Sequence, residues 1–444
     1  MINLELEVVS KEQIKPSSST PNDLRCFKIC LLDQLMPVFY IPIILFYPIR
    51  DGIQMLPKLK DALSKTLTKF YPLAGRIKNN VVIDCNDEGI SFIEARVNCV
   101  VLDFLKDPTF ELQSHLIPSM TLHTDQVTEM VQVQVTIFHC GGIAIGACFC
   151  HRIMDAASIS CFLNNWAAIT SSRYDQVICP DLTIASSLFP PNDHISHISL
   201  DKLMPAYASP CISKTFVFDG SAISNLKAKT MSKGIPSPTR IEVVSAFIWK
   251  QAMASLNKSS SILGQGIRRP SMLGFPVNIR TRMTPPIPRG CIGNLIVHMV
   301  ACCKLAEEEE ELHKLVGIVH ETISQVDGDI AKRINSLEAF HVVDEFLREF
   351  SSGKRNTYFF SSWCKIGMTE VDFGWGKPLW IGLLGWRPIS EQRNCITLID
   401  TTDGNGIEAQ IILNEHEMAI LEHDEEFLAF ATPVIGISSY QRVT

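Results

Sequence analysis

Between Met130 and Phe138 the chain reads MVQVQVTIF, with polar and apolar residues in turn. That is the period of a strand with one face exposed. Gly141 and Gly142 then turn the chain, and IAIGACFC (Ile143–Cys150) is apolar throughout, the pattern of a strand buried on both faces. A helix is predicted to begin near Asp155 and to run through Phe162, Leu163 and Trp166. Earlier, Leu59, Leu63, Leu67 and Phe70 recur at helical spacing with lysines opposite, predicting an amphipathic helix over Met55–Arg76 that Pro72 and Gly75 stop. Val81–Asp84 and Ile90–Ala95 read as a hairpin around CNDEG. The strongest apolar run, Leu35–Ile49, carries Pro37, Pro42 and Pro48 and is too short to span a bilayer. It is read as a buried strand with turns, and no membrane association is expected.

The second half repeats the style with different sequence. KTFVFDGSAISNLKAKT reads as strand then helix, PTRIEVVSAFIWKQAMASL as a helix with an apolar stripe, and SMLGFPVNIRTRM as a strand. LAEEEEELHKLVGIVHETISQV reads as a further helix, with Glu307–Glu311 as its solvated acidic start. Strands and helices alternate in both halves, so the fold class is α/β. A Pro- and Ser-rich stretch separates the halves. The expected division is a domain over 1–190, a linker over 191–212 and a second domain over 213–444.

Composition narrows the function. The 444 residues are 46% hydrophobic and 20% charged, which describes a packed protein. A net charge of −7 argues against nucleic-acid binding, which needs a basic field. The 15 cysteines are scattered and several sit in apolar runs, where a reduced thiol behaves as a small hydrophobe. With no secretory pattern in MINLELEVVSKEQIKP, the expectation is a cytoplasmic protein with reduced thiols.

Two stretches hold a histidine and an aspartate four positions apart: CFCHRIMDAAS, with His151 and Asp155, and HISLD, with His197 and Asp201. His151 ends the buried strand, so its ring is held by a rigid element at the edge of a sheet. His197 lies in an irregular stretch rich in Pro, Asn and Ser, and is set aside. Asp155 is placed to cap the helix that follows. Cys148, Cys150 and His151 cluster, yet no second Cys/His pair stands at a zinc-like distance, so no metal site is expected. Residues adjacent on a strand face opposite ways, which also sets aside Cys150 as a nucleophile paired with His151.

HRIMD combines with DFGWG (Asp372–Gly376), YPLAGR (Tyr71–Arg76), VNIRTRMTPPIPRGCIGN (Val277–Asn294) and SSWCKIGMTEVDFGWGKP (Ser361–Pro378) in one order along the chain. In that order the sequence resembles the BAHD family of plant acyl-CoA-dependent acyltransferases over essentially its whole length. Within the family it resembles the branch of vinorine synthase and the vindoline-forming and salutaridinol acetyltransferases. The resemblance implies two domains like chloramphenicol acetyltransferase, each a mixed β-sheet flanked by helices, with a solvent channel between them. It also implies a monomer with no permanently bound cofactor. The co-substrate would be an acyl-CoA, with acetyl-CoA the first expectation, and the partner a small-molecule alcohol. Benzoyl-, tigloyl- or hydroxycinnamoyl-CoA, an amine acceptor, or a non-catalytic ligand-binding descendant are the alternatives.

The same resemblance gives His151 the role of general base, deprotonating the acceptor hydroxyl as it attacks the thioester. An imidazole suits the task because its ordinary pKa is about 6.5. It implies that Asp155 turns away and pairs with an arginine of NIRTR, Arg280 in first place and Arg282 as the alternative. Asp372 would lie away from the reacting atoms and hold the CoA side of the channel, while Gly374 and Gly376 permit a tight turn and Phe373 and Trp375 pack. Lys250, Arg268, Arg269 and Arg289 are open candidates for the CoA phosphates. Gln410 stands where relatives often carry Trp.

Overall fold

The computed structural model describes residues 4–78, 81–118, 129–193, 210–231, 237–262, 269–303, 311–334, 354–385, 392–434 and 436. The chain divides into two compact units. One is Met1–Leu200 with Ile287–Leu295 and Lys365–Arg387; the other is Asp201–Pro286, Ile296–Cys364 and Pro388–Thr444.

The first unit is built on a six-stranded sheet whose strands lie in the order Leu6–Ile14, Ile90–Val97, Val131–Phe138, Ile143–Cys150, Tyr40–Tyr47 and Trp380–Leu383. Ile90–Val97 and Val131–Phe138 run parallel, and every other pair is antiparallel. Ile143–Cys150 is buried at all eight positions, as its unbroken apolar run predicts. The helix Gly52–Lys69 buries Leu59, Leu63 and Leu67 against the helix Ala156–Thr170, where Trp166 Nε1 donates to the Leu59 carbonyl at 2.9 Å. Phe162 meets both Phe70 and Phe149 edge-on, with ring centroids 5.4 and 5.8 Å apart. These contacts pin the helix that follows His151 to the strand that precedes it.

Two expectations are corrected here. The predicted hairpin does not form: Val82–Asp84 pairs with Cys26–Lys28 and Arg76–Ile77 in a separate three-stranded sheet. Ile90–Val97 pairs instead with Leu6–Ile14 over its whole length. The linear division is also too simple. The boundary between the units at 200/201 falls inside the expected linker, but DFGWG belongs to the first unit, because the strand that follows it pairs with Tyr40–Tyr47.

The second unit holds a seven-stranded mixed sheet in the order Ile296–Cys303, Ser271–Asn278, Asn356–Ser362, Cys395–Asp400, Ile407–Asn414, Cys211–Phe218 and Thr432–Val434. The predicted helices are present as Gly220–Met231, Arg240–Ile262 and Leu312–Ser324. Glu311 stands at the N-cap position of the last of these without a side-chain capping bond, while Glu307–Glu310 lie outside the described residues. Gln410 is half-buried in the sheet, opposite Thr397 on one side and Thr215 on the other. No described helix is long and apolar enough to cross a membrane.

Candidate active site

His151 follows directly on the buried strand, and its backbone is gripped on both sides. Its N–H donates to the Phe39 carbonyl at 2.9 Å, and its own carbonyl accepts from Asn294 Nδ2 at 2.7 Å. The Phe39 ring lies tilted against the imidazole at 4.8 Å between centroids. Burial pulls the His151 pKa down, opposed by its own carbonyl, the Asp155 carboxylate and the Asn294 amide. The net direction favours the neutral ring, the form that can accept a proton.

Asp155 caps the helix as its position predicts: Oδ1 accepts the Ser158 N–H at 2.8 Å. Its other oxygen accepts the Leu295 N–H at 3.1 Å. Ser158 exchanges hydrogen bonds with the backbone of Gly293, donating to its carbonyl (3.1 Å) and accepting from its N–H (3.2 Å). Gly293 has φ +135°, a conformation that L side chains rarely adopt, which lets this loop fold against the helix start. Asp155 is buried at 2% exposure, and so is Arg280 at 3% in the second unit, where Asn278 Oδ1 accepts its backbone N–H at 3.0 Å. Arg282 Nη1 donates to the carbonyls of Ile323 and Val326 at 3.3 and 3.2 Å.

Beneath His151 lies a second carboxylate. Asp33 Oδ1 accepts both the backbone N–H and the Nδ2 of Asn294, at 2.7 and 2.9 Å. Its Oδ2 accepts the Cys30 N–H at 2.9 Å, closing the cap of the short helix Leu31–Gln34. Burial raises the Asp33 pKa against these donors. Arg152, almost fully buried, donates to the Met36 carbonyl at 2.6 Å. Burial pushes the Cys150 thiol up to about 12, so it holds its proton at neutral pH and makes a poor nucleophile.

DFGWG forms a turn organised by its first residue. Asp372 Oδ1 accepts the N–H of Gly374 and of Gly376, both at 2.8 Å, and each glycine has φ +104°. Arg173 Nη1 lies 3.2 Å from the other carboxylate oxygen, and the same guanidinium donates to the Asp372 carbonyl. Burial would raise the Asp372 pKa, but the two glycine N–H groups and Arg173 hold it below the usual carboxylate value. Phe373 and Trp375 pack as expected, each meeting the buried Tyr47 ring edge-on at 5.9 Å, and Tyr47 OH donates to the Val371 carbonyl at 2.8 Å.

The structure thus brings His151 and Asp155 together with three residues the motifs did not single out, Asp33, Ser158 and Asn294. It joins Asp372 to Arg173, which sequence reasoning also missed. The available signal was the IGN at the end of GCIGN, a polar residue after a glycine in an apolar context. Of the cationic candidates, Lys250 is engaged by Glu426 at 2.7 Å, Arg269 and Arg289 are exposed, and Arg268 lies outside the described residues. His197 and Asp201 also lie outside them. Among the described residues no group of three His, Cys, Asp or Glu could hold a metal ion.

A histidine held at both backbone groups at the end of a buried strand, with burial favouring its neutral form, can serve as a general base. The chain belongs to the Transferase family, the BAHD acyl-CoA-dependent acyltransferases, whose sequence model matches residues 4–428. It is 34% identical to akuammiline synthase 2 of Alstonia scholaris, covering 97% of each chain. It is 36% identical to epi-neemfruitin B 7-O-acetyltransferase L7AT of Melia azedarach, covering 96% of this chain and 98% of that one. The crystal structure of vinorine synthase superposes with a TM-score of 0.81 at 32% identity, covering 97% of this chain and 100% of that one.

Proposed function

We propose that the protein transfers an acetyl group from acetyl-CoA to a hydroxyl of a plant specialised metabolite, an alkaloid or terpenoid alcohol. The acetyl donor and the alcohol class are supported by the similarity to a 7-O-acetyltransferase over 96% of this chain. The observation that carries the mechanism is His151: half-buried, held at its N–H and its carbonyl, with burial favouring the neutral ring. In the proposed reaction the imidazole takes the hydroxyl proton as the alcohol oxygen bonds to the thioester carbon. The tetrahedral intermediate then collapses, the C–S bond breaks, and the proton passes to the CoA thiolate. Transfer is direct, from a complex holding both substrates, which fits the protonated state of the Cys150 thiol.

Asp155 serves this reading as an anchor: its two oxygens serve the N–H groups of Ser158 and Leu295. Asp372 serves as the organiser of the DFGWG turn. The reading includes a monomeric, cytosolic enzyme that takes acyl-CoA as co-substrate. A screen of acyl-CoA donors against alkaloid and terpenoid alcohols, read by mass spectrometry, tests it. Acetylated product that disappears in His151→Ala supports the proposal. Turnover with aromatic or branched acyl-CoA but not acetyl-CoA would replace the donor, and no turnover with any pair would remove the function.

A further inference from the structure

His151 has an aromatic neighbour that the strand register puts in place. Tyr40–Tyr47 runs antiparallel to Ile143–Cys150, with Tyr40 opposite Cys150. One step beyond, Phe39 stands opposite His151, and the bond from the His151 N–H to the Phe39 carbonyl at 2.9 Å carries the ladder on. Residues opposed in an antiparallel pair present their side chains on one face, with Cβ atoms about 5 Å apart. The two rings meet accordingly, 4.8 Å between centroids and tilted by 48°. Phe39 is 7% exposed, so its ring is itself fixed by packing. Its segment is tied to that of the histidine a second time, because Arg152 donates to the Met36 carbonyl at 2.6 Å.

We propose that Phe39 is a positioning residue for His151: its ring covers one side of the imidazole, holds it in one orientation and keeps water from that side. The inference rests on the general-base role of His151. A base gains from such a neighbour in two ways. Its nitrogen meets the acceptor hydroxyl at one angle, because the packed phenyl ring blocks rotation of the imidazole. Water withheld from the imidazole cannot solvate its charged form, so the ring stays neutral and ready to accept a proton. Phenylalanine suits the place because its side chain has bulk and no polar atom to compete for the ring nitrogens.

Two effects oppose each other at this contact. The face of an aromatic ring attracts a cation, which favours the imidazolium. Exclusion of water disfavours it. Burial is the largest influence on His151 and outweighs its own carbonyl, the Asp155 carboxylate and the Asn294 amide, so exclusion prevails. The titratable and charged groups on the elements around the ring are Cys150 and Arg152 on its own segment, Tyr40 and Asp33 beside it, and Asp155 at the helix start. All of them stay in place when Phe39 is replaced. Loss of the phenyl ring is expected to raise the protonation midpoint toward the ordinary value of about 6.5. It should also lower kcat with acetyl-CoA by about 10- to 100-fold, the scale of loss for a catalytic group misplaced by up to about 1 Å, with the KM for acetyl-CoA little changed.

The test follows His151 in the full chain labelled with 15N-histidine, by proton–nitrogen correlation spectra across a pH titration with no substrate present. His151 is assigned by its absence in His151→Ala. Phe39→Leu stays apolar but loses the ring, and Phe39→Tyr keeps it. Phe92→Leu makes the same loss at a fully buried position on another strand of the sheet. The protonation midpoint is expected to rise in Phe39→Leu and to stay near wild type in the other two. Loosened packing alone would act alike in both leucine variants. The proposal is overturned if the midpoint of Phe39→Leu falls or does not move, or if Phe39→Tyr or Phe92→Leu moves as far. If Phe39→Leu does not fold, the wild-type midpoint decides: a value at or above about 6.5 overturns the proposal, and a lower one supports it. Because no turnover is read, this outcome is separate from failure of the acyl-transfer reading, which appears only in the donor and acceptor screen.

Discussion

Arg173 and Asp372 stand 199 residues apart in the chain and meet twice: guanidinium to carboxylate at 3.2 Å, and guanidinium to the Asp372 carbonyl. This joins the C-terminal end of the helix that follows His151 to the turn of DFGWG. The pair is partly exposed, so its charge attraction is worth about 1 kcal/mol or less. The larger share lies in the two glycine N–H groups that Asp372 accepts. Arg173→Met is therefore expected to lower stability by about 1 kcal/mol. Asp372→Ala should cost about 1–3 kcal/mol, since it removes two hydrogen bonds whose exposed donors water can then serve. Thermal melts of the two variants against wild type check the ordering, and an arginine variant that melts below the aspartate variant would reverse it.

The sign of the Asp372 effect with pH follows from its lowered pKa. A carboxyl with a lower pKa in the folded state stabilises the fold above its unfolded pKa of about 3.9. That contribution fades as pH falls through the lowered folded value. Wild type and Asp372→Asn are therefore expected to converge in stability toward strongly acidic pH and to differ most near neutrality. A gap that stays constant down the acid range would contradict the assignment.

Asp33 behaves in the opposite way. Burial raises its pKa, so the ionised form is the costly one, and its effect on stability is least favourable above the folded value. Asp33→Asn keeps an oxygen to accept the two Asn294 donors and removes the buried charge. Its NH₂ group then faces the Cys30 N–H, so its thermal midpoint is expected to fall, though less than that of Asp33→Ala. Asp33→Ala leaves the Cys30 N–H and both Asn294 donors unpaired and should cost about 3 kcal/mol or more. Equal midpoints for the two variants would show that these hydrogen bonds contribute nothing.

Much of this was legible in the chain. The unbroken apolar run Ile143–Cys150 required a buried strand, and a histidine after it followed by an aspartate at a helix start could only stand at that strand's end. What failed was pairing between distant segments. CNDEG sits between two strand-like runs, but the Cys85 N–H bonds the Arg25 carbonyl and draws the first run to Cys26–Lys28. DFGWG lies far down the sequence, yet the strand after it completes the first sheet beside Tyr40–Tyr47. Asn294 reaches His151 across 143 residues and Asp33 across 261, and no local periodicity encodes such contacts.

Asp155→Asn separates anchoring from catalysis. The carboxylate serves two backbone donors on different segments and is buried at 2% exposure. An amide oxygen can keep one donor but sets an NH₂ group against the other. The variant is expected to lose about 2–4 kcal/mol and to melt clearly below His151→Ala. A midpoint no lower than that of the histidine variant would show that Asp155 is not an anchor.

The general-base role of His151 is tested most directly by the turnover of His151→Ala in the acetyl-CoA assay. The substitution is expected to lower kcat by about 10²- to 10⁴-fold, the share that general acid–base catalysis supplies. Its thermal midpoint should stay near wild type, because the backbone bonds to Phe39 and Asn294 remain. A folded His151→Ala enzyme that turns over as fast as wild type would contradict the account.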